Sequence, residues 1–355
     1  MKKLKFSKNL KDNIITYGIV IVAYIIVQIM IFTGNISSLM QGLLVPLCVY
    51  VILAVSLNLT VGILGELSLG HAGFMCVGAF AGAFFSKCMQ EVITVDLLRF
   101  ILAILIGALS AGIIGLLIGM PVLRLKGDYL AIVTLAFGEI IKNIINVLYV
   151  GKDSNGLHFS MKDSLSLGLL EDGTVIINGA QGITGTPKDS TFTMGVILII
   201  ITLIIVLNLI HSRDGRAIMS IRDNLIAAES IGINITRYKL MAFSVSAALA
   251  GMAGVLYSHN LNSLMATPKN FGYNMSIMIL VFVVLGGIGN IRGSIISAVI
   301  LTMLPELLRG LSNYRMLIYS IILIVMMLFN WSPKLINLRE KYSLKRLLRK
   351  PKEVQ

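Results

Sequence analysis

Runs of apolar residues long enough to cross a bilayer recur along this chain, and that recurrence restricts the fold more than any motif does. A hydrocarbon core is spanned by about 20 predominantly apolar residues in a helix. Ten stretches qualify, at about 14–33, 41–61, 67–86, 97–119, 129–150, 192–210, 238–258, 273–290, 294–309 and 315–331. With 56% of the residues hydrophobic and 13% charged, a water-soluble fold would have to expose large apolar patches. The expectation is an all-α integral membrane protein with about ten transmembrane helices.

A net charge of +13 would suit a nucleic-acid binder, but Lys and Arg gather at the ends of the apolar stretches, which is the pattern of positive-inside topology. An even number of spans puts both termini on one side. With the termini in the cytoplasm, 21 of the 30 Lys and Arg residues fall inside and eight outside, with Lys142 left within a span. The organisation expected is a basic cytoplasmic N-terminus over 1–13, a single membrane domain over 14–331 and a basic cytoplasmic tail over 332–355. The first span follows five lysines but is longer than a signal-peptide core and has no A-x-A cleavage site, so it reads as a retained helix. Cys48, Cys76 and Cys88 lie in or beside apolar stretches without metal-ligand spacing.

Several kinds of chemistry are missing. No G-x-x-x-x-G-K-[ST] loop occurs, so the chain has no phosphate cradle with which to hydrolyse ATP. There is no H-E-x-x-H or G-x-S-x-G, and His71, His158, His211 and His259 are scattered. Neither a cofactor nor a metal is implied. A membrane enzyme would need Glu66, His71 and a second carboxylate to converge in the fold.

Glycine carries the stronger signal. Spacings such as Gly78-x-x-x-Gly82 let helices approach closely. In "VGILGELSLGHAGF" and "VVLGGIGNIRGSIISA" glycines interrupt an apolar pattern near the inner end of a span. A broken helix exposes backbone groups, tolerated at membrane depth only inside protein or along a wet cavity, and paired interruptions in two halves often mark a transport pathway built on an internal repeat. The candidate pathway and helix-break residues are Gly65, Glu66, Ser68, Gly70, His71, Gly286, Gly287 and Gly289. Within that set Gly65 and Gly70 permit a turn and close approach, Ser68 caps the third helix, and His71 either faces the pathway or is satisfied by a helix-end carbonyl. Glu66, nearest the membrane face, either belongs to the pathway or is simply solvated. Glu139 and Lys142, one turn apart in the fifth span, form an intramembrane pair by (i, i+3) spacing.

Two loops are long. The outer one, 151–191, contains "VIINGAQGITGTPK", whose β-branched run and turn residues suggest a short strand lying on the membrane surface. It is either a solvated connector or a lid that meets a partner outside. The inner one, 211–237, places Ala217, Ile221, Leu225, Ala228 and Gly232 at three- and four-residue intervals, as in one short amphipathic helix.

Five blocks then stand in a familiar order: "GILGELSLGHAGFMCVGAFAGA" (62–83), "LRLKGDYLAIVTLAFGEIIKNI" (123–144), "NGAQGI" (178–183), "SRDGRAIMSIRDNLIAAESIGIN" (212–234) and "VVLGGIGNIRGSIISA" (283–298). Over about residues 45–330 the chain resembles the M-type permease subunit of branched-chain amino acid ABC importers. The resemblance implies an ABC importer permease fold in a bacterial or archaeal inner membrane. It further implies a second, H-type permease, two cytoplasmic ATP-binding subunits, an extracytoplasmic substrate-binding protein, and Leu, Ile or Val as cargo. Relatives that move urea, short amides, sugars or nucleosides make those the alternative cargoes, and an ion-coupled secondary transporter is the alternative of a different class.

The resemblance also gives the inner loop a role, as the coupling helix that docks in a groove of the ATPase. Ala227, Ala228 and Gly232 match the small positions of an E-A-A-x-x-x-G pattern, Ile226 replaces the glutamate, and Arg216, Arg222, Asp223 and Glu229 would form a polar rim. Arg124, Lys126 and Asp128 read as a second inner charge cluster.

Overall fold

The computed structural model describes residues 8–125, 127–170, 173–311 and 314–331. The basic segment at 1–7, Lys126 and the basic tail at 332–355 lie outside the described residues. The order of elements is α1 (Lys8–Phe32), α2 (Ser38–Asn58) with a π-helical turn continuing it (Leu59–Leu64), α3 (His71–Cys88), α4 (Asp96–Val122) and α5 (Asp128–Asn146). Strands β1 (Tyr149–Asp153), β2 (Gly156–Ser160), β3 (Thr174–Asn178) and β4 (Ile183–Thr184) follow. Then come α6 (Phe192–His211), α7 (Arg213–Asp223), α8 (Leu225–Ser230), α9 (Ile235–Ser258), β5 (Ser263–Leu264), α10 (Pro268–Phe271), α11 (Tyr273–Gly286), α12 (Ile291–Leu307) and α13 (Arg315–Trp331). Each of the ten expected stretches falls on one of these helices. Six segments are long and apolar enough to cross a membrane by length and composition: Asn13–Phe32, Ser38–Leu64, Asp96–Val122, Phe192–His211, Ile235–Ser258 and Pro268–Gly286.

The chain is mostly helical rather than all-α. Between α5 and α6 a three-stranded antiparallel sheet forms in the order β2-β1-β3, and β4 pairs with β5. The β-branched run Thr174–Asn178 is the strand expected there, and β1 supplies the partner that a lone strand lacks.

Two compact units are present, Met1–Val299 and Ile300–Gln355. In the larger one, α9 packs against α2, α3 and α4. Small residues make this approach feasible: Gly78 of α3 lies against the backbone of Gly251, and Gly82 against Val255. Apolar content alone does not decide burial. The α2 segment and α4 are both strongly hydrophobic, yet α2 is buried along most of its length, whereas α4 turns Leu97, Ile101, Leu105, Leu109 and Ile113 outward. A helix apolar on all sides suits either the interior or lipid.

The 20 residues of α6 rise about 30 Å, so the small sheet before it and the α7–α8 loop after it sit at opposite ends of the bundle. The two are called here the sheet end and the junction end.

Candidate functional site

At the junction end the two glycine interruptions meet. The first closes α2: the π turn ends at Gly65, whose φ of 81° is the left-handed conformation that glycine adopts without penalty. The N–H groups of Gly65 and Glu66 both donate to the Thr60 carbonyl. The second interruption follows α11, with Gly287 at φ 93° and Gly289 at φ 80°. Gly62 of the first packs so tightly on the Gly289 backbone that a Cβ at Gly62 would collide with it.

Asn58, fully buried, joins them. Its Oδ1 accepts from Gly289 N–H at 2.9 Å, and its Nδ2 donates to Ser294 Oγ at 2.8 Å. The non-helical segment 65–70 also finds polar partners. Leu69 N–H donates to Thr134 Oγ1 of α5 at 3.0 Å, Gly70 lies on the Thr134 carbonyl, and Ala72 N–H in the first turn of α3 donates to Ser276 Oγ of α11 at 3.1 Å.

Three expectations for this segment need correction. Ser68 does not cap α3: Gly70 holds the cap position without a side-chain bond, and Ser68 Oγ is buried with no hydrogen-bond partner among the described residues. Glu66 is not simply solvated, because it pairs with Lys239, a buried residue in the first turns of α9. His71 is satisfied by a hydroxyl rather than a carbonyl. Ser56 Oγ stands 2.7 Å from His71 Nε2 and 3.0 Å from the Leu53 carbonyl, so the hydroxyl hydrogen-bonds the ring. Glu66 and His71 are thereby committed to different partners, and the convergence that an enzyme would need does not form.

The α7–α8 loop is two helices rather than one. Asn224 is extended, with φ −156° and ψ 105°, and its Oδ1 accepts from Ala227 N–H at 3.0 Å, starting a new helix. Ser212 and Asn234 cap α7 and α9 in the same way. The apolar face of α7 buries Ile218 in a cluster with Leu59, Ile63 and Leu64 of the π turn and Ala242 of α9. On α8 the small positions divide: Ala228 is buried and Ala227 exposed. Ile226 and Ile231 project outward, 78% and 74% exposed, with Glu229 and Gly232 exposed beside them. Gly232 has φ 85°, so the turn after α8 requires glycine for its backbone.

Of the expected polar rim, Arg216, Arg222 and Asp223 are all exposed, and Arg222 also reaches across to the π turn after α2, its Nη1 donating to the Gly62 carbonyl at 2.9 Å. Arg124 and Asp128 are exposed between α4 and α5. Further along α5, Lys142 pairs with Glu139 as the spacing predicts, and Glu139 also accepts from Tyr273 N–H at 2.8 Å.

Residues 39–329 match the family described as "Branched-chain amino acid transport system / permease component". The chain belongs to this family. The high-affinity branched-chain amino acid transport system permease protein LivM of Salmonella typhimurium (strain LT2) is 34% identical over 295 residues, covering 81% of this chain and 67% of that protein. LivM of Escherichia coli (strain K12) matches to the same extent. The permease protein LivH of Salmonella typhimurium is 25% identical over 261 residues, or 71% of this chain and 79% of LivH. No solved structure matches significantly. The chain is thus a multi-pass ABC transporter permease component and not itself an enzyme.

Within this permease, sequence reasoning placed the interruptions but missed what fills them. Asn58, Ser56, Thr134, Ser276 and Lys239 all belong to the junction. The signal available was a polar side chain inside an apolar run, "AVSLNLTVG" for Ser56 and Asn58. Lys239 carried no such signal, because a lysine at a helix start reads as topology.

Proposed function

We propose that this permease is the M-type half of an importer for Leu, Ile and Val, crossing the membrane ten times with both termini in the cytoplasm. It pairs with an H-type permease, two cytoplasmic ATP-binding subunits and an extracytoplasmic binding protein. Cargo passes beside the junction of the two glycine interruptions, where Gly65, Ser68, Gly70, His71, Gly286, Gly287 and Gly289 gather. The observation that carries this reading is the α7–α8 loop. It offers two exposed isoleucines at a helix and seats its other face on an interrupted membrane helix, as a device for passing a partner's movement inward requires. The absence of a phosphate-cradling sequence agrees, since ATP-driven transport then needs another subunit to hydrolyse the ATP. At the sheet end, Phe159, Met161 and Leu165 stand exposed, an apolar patch suited to the extracytoplasmic partner.

The test is reconstitution in liposomes. Uptake of leucine should require the ATP-binding subunits, the binding protein and ATP together. Uptake by this chain alone, driven by a cation gradient, would establish a secondary transporter instead. Ile226→Asp should weaken co-purification of the ATP-binding subunits by about tenfold or more, because a desolvated apolar anchor contributes about 2 kcal/mol or more to an interface. It is a cleaner probe than a substitution at Gly232, where any side chain strains the turn.

A further inference from the structure

Arg222 joins the α7–α8 loop to the membrane interior through a backbone group that no helix satisfies. A helix end leaves its last carbonyls without intrahelical partners. At the end of the π turn, the Thr60 carbonyl takes the N–H groups of Gly65 and Glu66, and the Gly62 carbonyl takes Nη1 of Arg222 at 2.9 Å. A guanidinium suits this position, since it supplies both donors and positive charge to the negative end of the helix dipole. The other edge of the same group, Nε and Nη2, holds Asp223 Oδ1 at 3.1 and 2.9 Å.

The stem of Arg222 is equally placed. It lies across Gly65, where a Cβ would come within 2.5 Å of Arg222 Cγ, so the bare glycine makes room for the arginine as well as for the turn. A Cβ placed on Gly289 of the second interruption would lie 4.0 Å from Nη1, so the guanidinium stands near that glycine, which itself packs on Gly62. Ile218, one turn earlier on α7, packs on Leu59, Ile63 and Leu64. Apolar contact and charge-assisted hydrogen bond thus fasten α7 to the same six-residue turn, while the extended Asn224 separates α7 from the exposed face of α8.

We infer that Arg222 is a latch: the positioning residue through which displacement of the α7–α8 loop is imposed on the ends of both glycine interruptions, and so on the proposed cargo route beside them. This rests on the coupling reading above. It gives Arg222, which stays exposed on the rim, a second role through its bond to the Gly62 carbonyl, where it acts on the permease itself.

The experiment uses the full complex in liposomes with binding protein and ATP, reading leucine transported per ATP hydrolysed. Arg222→Met keeps the apolar stem and removes every donor. The ATP-binding subunits should still co-purify and hydrolyse ATP, while transport per ATP falls about tenfold, the scale of one lost charge-assisted hydrogen bond. Arg222→Lys, which retains one charged donor, should recover part of that ratio, and it carries the test if the methionine variant does not assemble. A wild-type ratio in either variant overturns the latch. A wild-type complex that fails to bind the ATP-binding subunits, or transports without ATP, overturns the coupling reading instead. Ile226→Asp separates the two, since it should lose the subunits themselves, whereas Arg222→Met should keep them and lose only the yield.

Discussion

Among the ion pairs of the described residues, Glu139–Lys142 and Glu66–Lys239 differ in how the chain makes them. Glu139 and Lys142 sit one turn apart on α5, so forming the helix forms the pair. Glu66 and Lys239 are separated by most of the fold and meet only when α9 packs beside the first interruption. The local pair needs no tertiary structure and is supported further by Tyr273 N–H on Glu139. The remote pair makes ionisable residues in two distant segments depend on each other, so it reports whether the junction is assembled.

Removing one partner of a buried pair strands the other charge and costs about 3–5 kcal/mol, so Lys239→Met should produce the largest effect. It should lower the thermal unfolding temperature in detergent sharply, and adding Glu66→Gln should recover most of the loss. Lys142→Met should cost less, about 1–3 kcal/mol, because Glu139 keeps a backbone donor. Equal losses from the two lysine variants would remove the distinction between a local and a remote pair.

A third acidic group extends the contrast to the sheet end, outside the membrane spans. Asp153 is buried within its loop, which alone would raise its pKa. The backbone N–H groups of Asn155 and Leu170 and the imidazole of His158 outweigh that and hold its carboxyl below the usual aspartate range. Its contribution to the loop is therefore present in full above the ordinary aspartate pKa and lost as pH falls through the lowered folded value. Limited proteolysis of the 149–178 sheet should show protection that is level near neutral pH and declines in acid. Asp153→Asn should abolish that decline with the smallest effect of the three on the whole protein, since it touches one surface element. An unchanged pH profile in the variant would show that other groups set it.

The same division between near and far explains what the sequence disclosed. Helix positions, both glycine interruptions, the strand at 174–178 and the Glu139–Lys142 pair depend on residues close in the chain, and each could be read from spacing. Asn58 bonded to Gly289, Lys239 paired with Glu66 and Arg222 on Gly62 depend on packing between segments, and their residue types alone suggested other roles. Ser68 failed for a related reason: its place before α3 resembled a cap, but the helix begins at His71 with Gly70 as its neighbour. The loop between α6 and α9 resembles one helix in sequence because its apolar period continues across Asn224, while the competing signal, an asparagine able to start a helix of its own, stands in the same stretch.

Asn58 has a consequence for leakage. A single side-chain amide spends its oxygen on Gly289 and its nitrogen on Ser294, so the two interruptions cannot part by half. Separating them means giving up both bonds together in a place with little water to replace them. On the proposed pathway beside this junction, a closure held by both bonds would resist partial opening, which suits a membrane whose ion gradients must survive each round of transport.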